Sequence, residues 1–286
     1  MIVRPTLHAD INLDAPVLLV CLEGWVDAGR ALERVTGAIL DGPAVLVASF
    51  DTDELVDYRA RRPTMHVDDG INTGVDWPAI DVLACRDLDG RDVLVLTGVE
   101  PDRGWRAFAS AVAALSDQLG VRMMLSLGAY PAATPHTRDV TLSAIGTTPK
   151  LVQQVGFLEG KLEVPAGVQA AIERACADAG IPSVGLWAPV PHYVAGERFP
   201  LATVALLRGL EQVADRRFLT PSLRAEAEAV TQRLDVIQRS DEDRQRLVDN
   251  LESHADTVAN AQPRDLPSAD ELAAEFSQFL EDNNSD

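Results

Sequence analysis

The stretch that decides the fold is Pro16-Val17-Leu18-Leu19-Val20-Cys21-Leu22-Glu23-Gly24-Trp25-Val26-Asp27-Ala28-Gly29. Its apolar part, Val17 to Cys21, is long enough for a buried strand, and a helical pattern runs from Ala28 to Leu40. Between them lies a polar turn that contains glycine, a residue that permits tight turns. The stretch therefore predicts a strand, a turn and a helix of a layered α/β fold.

The same alternation of apolar runs and helical patterns recurs along the chain. Further strands are predicted at Ala44 to Phe50, Val82 to Cys85, Val93 to Leu96, Met123 to Leu127 and Val184 to Ala188. Further helices are predicted at Trp105 to Leu119, Ala166 to Ala179 and Leu201 to Ala214. Continuous apolar strands are typical of a mostly parallel sheet that is covered on both faces. The segment from Asp51 to Trp77 breaks this pattern and predicts a hairpin or an excursion at a sheet edge.

The last quarter of the chain has a helical composition. Apolar residues recur at spacings of four and three at Leu223, Ala227, Val230, Leu234 and Ile237. The polar run that begins at Ser240 interrupts this stripe, so a helical hairpin is predicted instead of one long coiled coil. A last helix is predicted from Ser268, with Leu272, Phe276, Phe279 and Leu280 on one face. We therefore expect an α/β core at residues 1–220 and a helical extension at residues 221–286.

Charge and cysteine usage limit the partners and the compartment. The formal net charge is −19, which repels phosphate groups, so we expect neither nucleic acid nor a membrane as partner. Cys21, Cys85 and Cys176 lie far apart in apolar surroundings, which is typical of buried thiols in a reducing compartment. Since the sequence shows neither a secretory leader nor an apolar run of about 18 residues, we expect a cytoplasmic protein.

The unusual residues follow predicted strands, where open α/β sheets place their ligand sites. The candidates for a cleft at this edge are Glu23, Trp25, Asp27, Glu100, Asp102, Gly128, Tyr130 and His192. One interpretation is a carboxylate-lined cleft with an aromatic wall that binds a cation or a polar ligand, or performs acid–base chemistry. The other interpretation is structural, with Asp27 as a helix cap and the glycines in tight turns. The sequence leaves both open.

Common catalytic and cofactor motifs are missing from the sequence. It has no phosphate loop ending in Gly-Lys-Ser/Thr and no Gly-x-Gly-x-x-Gly after a strand. Ser126-Leu127-Gly128 lacks the preceding glycine of a hydrolase elbow, and the five histidines show no close metal-ligand spacing. We therefore predict no metal and no cofactor. His136 is interpreted as a residue that packs or bonds locally, with a ligand-reaching role as the alternative.

Several longer motifs resemble one family. They are Leu22 to Gly29, Phe50 to Pro63, Leu127 to Pro131 and Pro135-His136-Thr137-Arg138. Together they are similar to the proteasome assembly chaperone 2 family in its actinobacterial form. The resemblance implies a three-layer α/β/α core similar to the phosphorylase/hydrolase-like fold, with a mostly parallel mixed sheet. It also implies a homo-oligomer, for which we expect a trimer, and kinship with chaperones that help to assemble proteasome rings.

The sequence leaves two functions open. The first is a non-enzymatic assembly chaperone or scaffold that acts through protein contacts, with proteasome subunits among its partners. The alternative is a ligand-binding protein or an enzyme, of the phosphorylase/hydrolase-like or ATP-dependent carboxylate–amine ligase type, that uses the carboxylate-lined cleft. The ligase reading has little support in the residues, because Lys150 and Lys161 are the only lysines available to bind phosphate.

Overall fold

A computed structural model describes residues 2–24, 26–157 and 160–260 of the chain. Its strands are β1 (Thr6–Leu7), β2 (Val17–Glu23), β3 (Val45–Ser49), β4 (Thr64–Asp68), β5 (Ile71–Asp76), β6 (Ile80–Arg86), β7 (Asp92–Val99), β8 (Met123–Ala132), β9 (Ser143–Gly146) and β10 (Ser183–Pro191). Its helices are α1 (Ala31–Ile39), α2 (Thr52–Leu55), α3 (Trp105–Gln118), α4 (Pro149–Val155), α5 (Val168–Asp178), α6 (Pro200–Ala214), α7 (Pro221–Arg239) and α8 (Glu242–Asn260). The predicted α/β fold class is confirmed.

Eight strands form one mixed sheet in the order β1-β3-β6-β7-β2-β8-β10-β9. β2 is parallel to both β7 and β8, whereas β6 is antiparallel to β7 and to β3. It follows that β2, β3, β7 and β8 point one way while β6 and β1 point the other. The expected mixed, mostly parallel sheet is therefore present.

The strands and helices predicted within the described residues occur, but several strands extend beyond their apolar runs. β8 continues through Gly128 and Tyr130 to Ala132, so the segment taken as a turn after a strand is part of that strand. β10 likewise includes Pro189 and Pro191. Polar and proline residues at a strand end hide its length from a search for apolar runs. The segment from Asp51 to Trp77 contains the short α2 and a separate two-stranded sheet of β4 and β5, as the hairpin prediction required.

Contacts divide the chain into two compact units. The first comprises residues 1–25, 39–126 and 166–184. Its core is apolar and centres on β2, β3, β6 and β7 with α3 and α5 packed together. Phe50 and Phe108 meet edge to face in this core, with ring centroids 4.8 Å apart. Such a T-shaped pair adds to the stabilisation that the buried area alone provides.

The second unit comprises residues 26–38, 127–165 and the chain from residue 185 onward. In it α6 contacts both α4 and α7, and α7 contacts α8. Thr220 caps α7 by accepting a hydrogen bond from the Leu223 N–H, and Pro221 occupies the first helical turn. Leu223, Ala227 and Leu234 are the buried residues of this helix, which is the apolar stripe predicted from the sequence.

The helical part ends, as far as the structure describes it, with α8. The predicted last helix from Ser268 lies outside the described residues. The division at residue 220 therefore stays a prediction, and the second unit continues across that residue without a break. Among the described residues, no helix has the length and apolar character needed to cross a membrane.

Candidate functional site

The structure places seven of the eight predicted cleft residues, since Trp25 lies outside the described residues. Glu23, Glu100 and Asp102 belong to the first unit. The other four, Asp27, Gly128, Tyr130 and His192, belong to the second unit. The candidates therefore form two groups, one in each unit.

Glu100 is buried and bonded to the start of a helix. Its Oε1 accepts a hydrogen bond from the Val168 N–H at 2.6 Å, at the first residue of α5. The N-cap residue of this helix, Gly167, has no side chain to accept that bond, so Glu100 performs the capping role from another loop. Burial raises the pKa of the Glu100 carboxyl, and the Val168 N–H and the charge of Arg61 offset part of that rise.

Asp102 ties two loops of the first unit together. Its Oδ2 accepts a hydrogen bond from the Asp57 N–H at 2.7 Å, and its Oδ1 accepts one from Arg61 Nε at 3.2 Å. The Arg61 guanidinium also covers Gly24, where an added Cβ would lie 2.6 Å from Nη2. Gly24 has a φ of +109°, so both its backbone and this close approach require glycine. Glu23 is exposed, and its carbonyl accepts a hydrogen bond from the Glu100 N–H at 2.6 Å.

Asp27 caps α1, the helix that follows β2. Its two carboxylate oxygens accept hydrogen bonds from the N–H groups of Leu32, at 2.7 Å, and Glu33, at 3.1 Å. Burial raises the pKa of Asp27, and these backbone bonds counteract the rise. Because both oxygens already have partners, the geometry favours a structural role for Asp27 over proton transfer.

The remaining candidates of the second unit lie in β8, which holds Gly128 and Tyr130, and directly after β10, where His192 lies. An added Cβ on Gly128 would lie 2.5 Å from the Trp187 ring, so glycine lets this indole lie flat against β8. Tyr130 is half-buried in the same strand. His192 is exposed, and its ring lies 5.6 Å from that of Tyr193. Gly128 and Tyr130 thus lie inside β8 and not in a loop after it, and only His192 follows its strand as the sequence predicted.

A buried polar network in the second unit joins the Pro135–Arg138 motif to distant residues. The Tyr193 hydroxyl accepts a hydrogen bond from the His136 N–H at 2.9 Å and lies 2.7 Å from Nδ1 of the same residue. His136 Nε2 lies 3.3 Å from Asp235 of α7. Arg138 bonds both oxygens of Asp256 of α8, each at 2.8 Å. The motif thus holds the helical hairpin of α7 and α8.

His136 is 1% exposed, and burial lowers the pKa of its imidazole, with Asp235 opposing the shift. This geometry fits the interpretation of His136 as a residue that packs and forms hydrogen bonds within the fold. The sequence offered no signal for the partners, because Tyr193 and Asp235 are 57 and 99 residues away along the chain. Within the described ranges, no group of three or more His, Cys, Asp or Glu side chains is placed to hold a metal ion.

The chain matches one protein-family model and several solved structures. The sequence model of the PAC2 family matches residues 21–238. A Mycobacterium tuberculosis protein of unknown function is 32% identical over 98% of this chain and 95% of its own, with a TM-score of 0.84. A Mycobacterium tuberculosis proteasome-assembly chaperone homologue is 36% identical over 81% of this chain and 99% of its own, with a TM-score of 0.73.

A more distant likeness concerns the fold alone. Pyrococcus furiosus PbaB, an archaeal proteasome activator, has a TM-score of 0.63 at 13% identity, covering 82% of this chain and 98% of its own. No curated protein matches the sequence significantly. Since the family match extends over most of the chain and the two mycobacterial structures share about a third of its residues, this chain belongs to the PAC2 family.

Proposed function

We propose that this protein is a non-enzymatic assembly chaperone or scaffold that acts through protein–protein contacts and has proteasome subunits among its partners. The proteasome-assembly chaperone homologue of Mycobacterium tuberculosis, at 36% identity, supports this class of partner. The structural observation that carries the proposal is an exposed apolar surface on the hairpin of β4 and β5. We call Met65, Val67 and Val75 the hairpin face.

The hairpin face lies on one side of the two-stranded sheet of β4 and β5. Met65 pairs with Val75 across the strands, and Val67 lies two residues further along β4, so the three side chains share a face. They are 59%, 55% and 39% exposed. The opposite face carries His66, whose Nε2 lies 2.7 Å from Asp76, together with the exposed Ile71.

An apolar face on an isolated hairpin favours a partner. A two-stranded hairpin alone is marginally stable in water, and covering its apolar side chains stabilises it. We propose that a second copy of this chain covers the hairpin face in a homo-oligomer, for which a trimer is our expectation, and that this oligomer is the form that binds proteasome subunits. We further propose a cytoplasmic location, which the three buried thiols Cys21, Cys85 and Cys176 support.

The alternative remains a ligand-binding protein or an enzyme with a carboxylate-lined cleft. The contacts within each unit favour the scaffold, because Glu100 and Asp27 act as helix caps and Asp102 bonds Arg61 and a backbone N–H. Carboxylates held in this way already have the hydrogen bonds that a ligand would otherwise supply.

Affinity capture tests the proposal. The tagged full chain is captured from its own cells, and the retained proteins and small molecules are identified by mass spectrometry. We expect proteasome α subunits with the native protein, and their loss with Met65→Asp/Val67→Asp. Leu88→Asp is the matched control, because Leu88 is equally apolar and 54% exposed but lies between β6 and β7. A stoichiometric metabolite without any protein partner would instead support the alternative.

A further inference from the structure

A groove in the second unit has apolar walls. Its volume is about 480 Å³, and it lies between α4, α6, α7 and the segment that connects β8 to β9. Ligand pockets in proteins commonly enclose roughly 300–1,000 Å³. The apolar walls include Val140, Leu142, Val155, Val204 and Ala227. A groove of this size and lining can bury the apolar groups of a small ligand.

Two contacts hold the walls of the groove in place. Gln212 of α6 donates a hydrogen bond from Nε2 to the Gln154 carbonyl at 2.5 Å, which binds α6 to α4. Leu142 packs against Gly209 of α6, where an added Cβ would lie 2.6 Å from the Leu142 Cδ1. Gln212, Leu142 and Gly209 all line the groove. The chain itself therefore shapes the groove.

Four charged side chains line the same groove. Arg208 of α6 and Arg224 of α7 carry the positive charges, and Asp139 and Glu228 carry the negative ones. All four residues are exposed. Within residues 2–24, 26–157 and 160–260, none of these four side chains forms an ion pair or a hydrogen bond. The groove thus offers two guanidinium groups and two carboxylates to a ligand.

The balance of these charges favours a ligand that carries both signs. The chain has a formal net charge of −19, so its field disfavours a purely anionic ligand. A purely cationic ligand would meet the two guanidinium groups of the groove. A zwitterion carries no net charge. Its carboxylate fits the planar fork of an arginine, and its ammonium pairs with an acidic side chain.

The spacing of the charges indicates a short peptide. Arg224 and Glu228 are four residues apart on α7, so their Cα atoms are separated by about 6 Å along the helix axis. An extended peptide covers up to roughly 3.5 Å per residue, so the termini of a tripeptide lie about 10 Å apart. The long arginine and glutamate side chains can extend over the remaining distance. The apolar walls favour a peptide with apolar side chains.

We propose that this groove binds short apolar peptides that have both termini free. The terminal carboxylate pairs with Arg208 and Arg224, the terminal ammonium pairs with Asp139 and Glu228, and the apolar side chains lie against the walls. A segment inside a longer chain lacks the two termini. The site therefore selects products of peptide-bond hydrolysis over intact proteins.

Isothermal titration calorimetry of the full chain with trileucine tests the proposal. We expect a dissociation constant of roughly 10 µM to 1 mM for a ligand of this size. N-acetyl-trileucine lacks the ammonium and trileucine amide lacks the carboxylate, so each should bind roughly fivefold more weakly. Physiological ionic strength screens the net charge of the chain, so the comparison measures local contacts. The absence of trileucine binding, or equal binding of the three peptides, would overturn the proposal.

Charge variants identify the group that each terminus contacts. Arg208→Gln/Arg224→Gln should weaken the binding of trileucine but not that of trileucine amide, which has no carboxylate. Asp139→Asn/Glu228→Gln should weaken the binding of trileucine but not that of N-acetyl-trileucine. Arg233→Gln is the matched control, because Arg233 is exposed on α7 and does not line the groove. An equal loss of affinity with this control would contradict the assigned site.

A steric variant gives a measurement that does not depend on charge. Thr231→Trp places an indole in the groove and should abolish trileucine binding. Gln232→Trp is the control, because Gln232 is exposed on the same helix and lies outside the groove. Circular dichroism checks that each variant is folded, and the charge variants, which replace exposed side chains, provide the test if Thr231→Trp fails to fold. Trileucine binding by folded Thr231→Trp would overturn the proposal.

Discussion

Asp27 shows how a residue that could serve catalysis serves the fold. Its carboxylate accepts hydrogen bonds from two N–H groups at the start of α1, so Asp27→Ala should lower the free energy of unfolding by about 1 kcal/mol. Asp27→Asn keeps one oxygen as acceptor and should lose less. Thermal and urea unfolding of both variants provide the measurement. An unchanged stability with Asp27→Ala, together with the loss of a bound ligand, would support the cleft interpretation.

Gly128 is required by the approach of Trp187. Gly128→Ala would place a methyl group 2.5 Å from the indole ring, and the ring must shift, which should cost about 1–3 kcal/mol of unfolding free energy. Gly42→Ala is the control, because an added Cβ there meets nothing within 4 Å. Equal stability of the two variants by urea unfolding would refute this role of Gly128.

Glu173 makes stability depend on pH. It is buried in the first unit, accepts a hydrogen bond from Ser126 Oγ at 2.5 Å, and has its pKa raised by burial from 4.5 to about 7. The folded state therefore holds a proton that the unfolded state has released between these values. Its contribution to stability is complete at low pH and is lost as the pH rises to about 7.

The native protein should therefore lose about 2–3 kcal/mol more of its unfolding free energy than Glu173→Gln as the pH rises from about 5 to about 8. Glutamine cannot release a proton, so that variant supplies the baseline for all other titrating groups. Urea unfolding at the two pH values measures the difference. Parallel pH dependence of the two proteins would contradict the assigned pKa.

The sequence could predict residue roles only where the partner is close along the chain. The cap formed by Asp27 was anticipated as a structural alternative because its partners are five and six residues away. The cap that Glu100 supplies to α5 joins residues 68 apart and leaves no local pattern.

At the level of elements, the Tyr193 hydroxyl holds His136, which in turn bonds Asp235 of α7. Tyr193→Phe leaves the buried His136 N–H without its acceptor, which should cost about 1–3 kcal/mol. Hydrogen exchange should then accelerate in α7 and α8. Tyr58→Phe is the control, because it removes hydrogen bonds to Thr52 and Asp53 in the first unit. Acceleration by both variants alike would show that the effect is not local.

Elements were predictable where their pattern was apolar and continuous. The run Val17 to Cys21 gave β2 nearly to its end, and the stripe through Leu223 and Leu234 gave α7. β8 was predicted too short because Gly128 and Pro131 resemble turn residues, although both lie in the strand. The edge strand β1 has two residues, both exposed, and therefore no pattern to detect.

For the whole molecule, the order of the strands in the sheet could not be predicted from the sequence. The alternation of strands and helices predicts an α/β class, but the antiparallel pairing of β3 with β6 joins residues that are far apart along the chain, such as Ser49 and Asp81. The net charge of −19 opposes self-association in general, so an oligomer requires a specific apolar contact, and the hairpin face supplies one.

The most direct test of the account is native mass spectrometry of the full chain, alone and with purified proteasome α subunits from its own organism. We predict a homo-oligomer of the 30.8 kDa chain and a complex with α subunits, both lost with Met65→Asp/Val67→Asp and retained with Leu88→Asp. A monomer that carries a stoichiometric small molecule and forms no complex with α subunits would contradict the account.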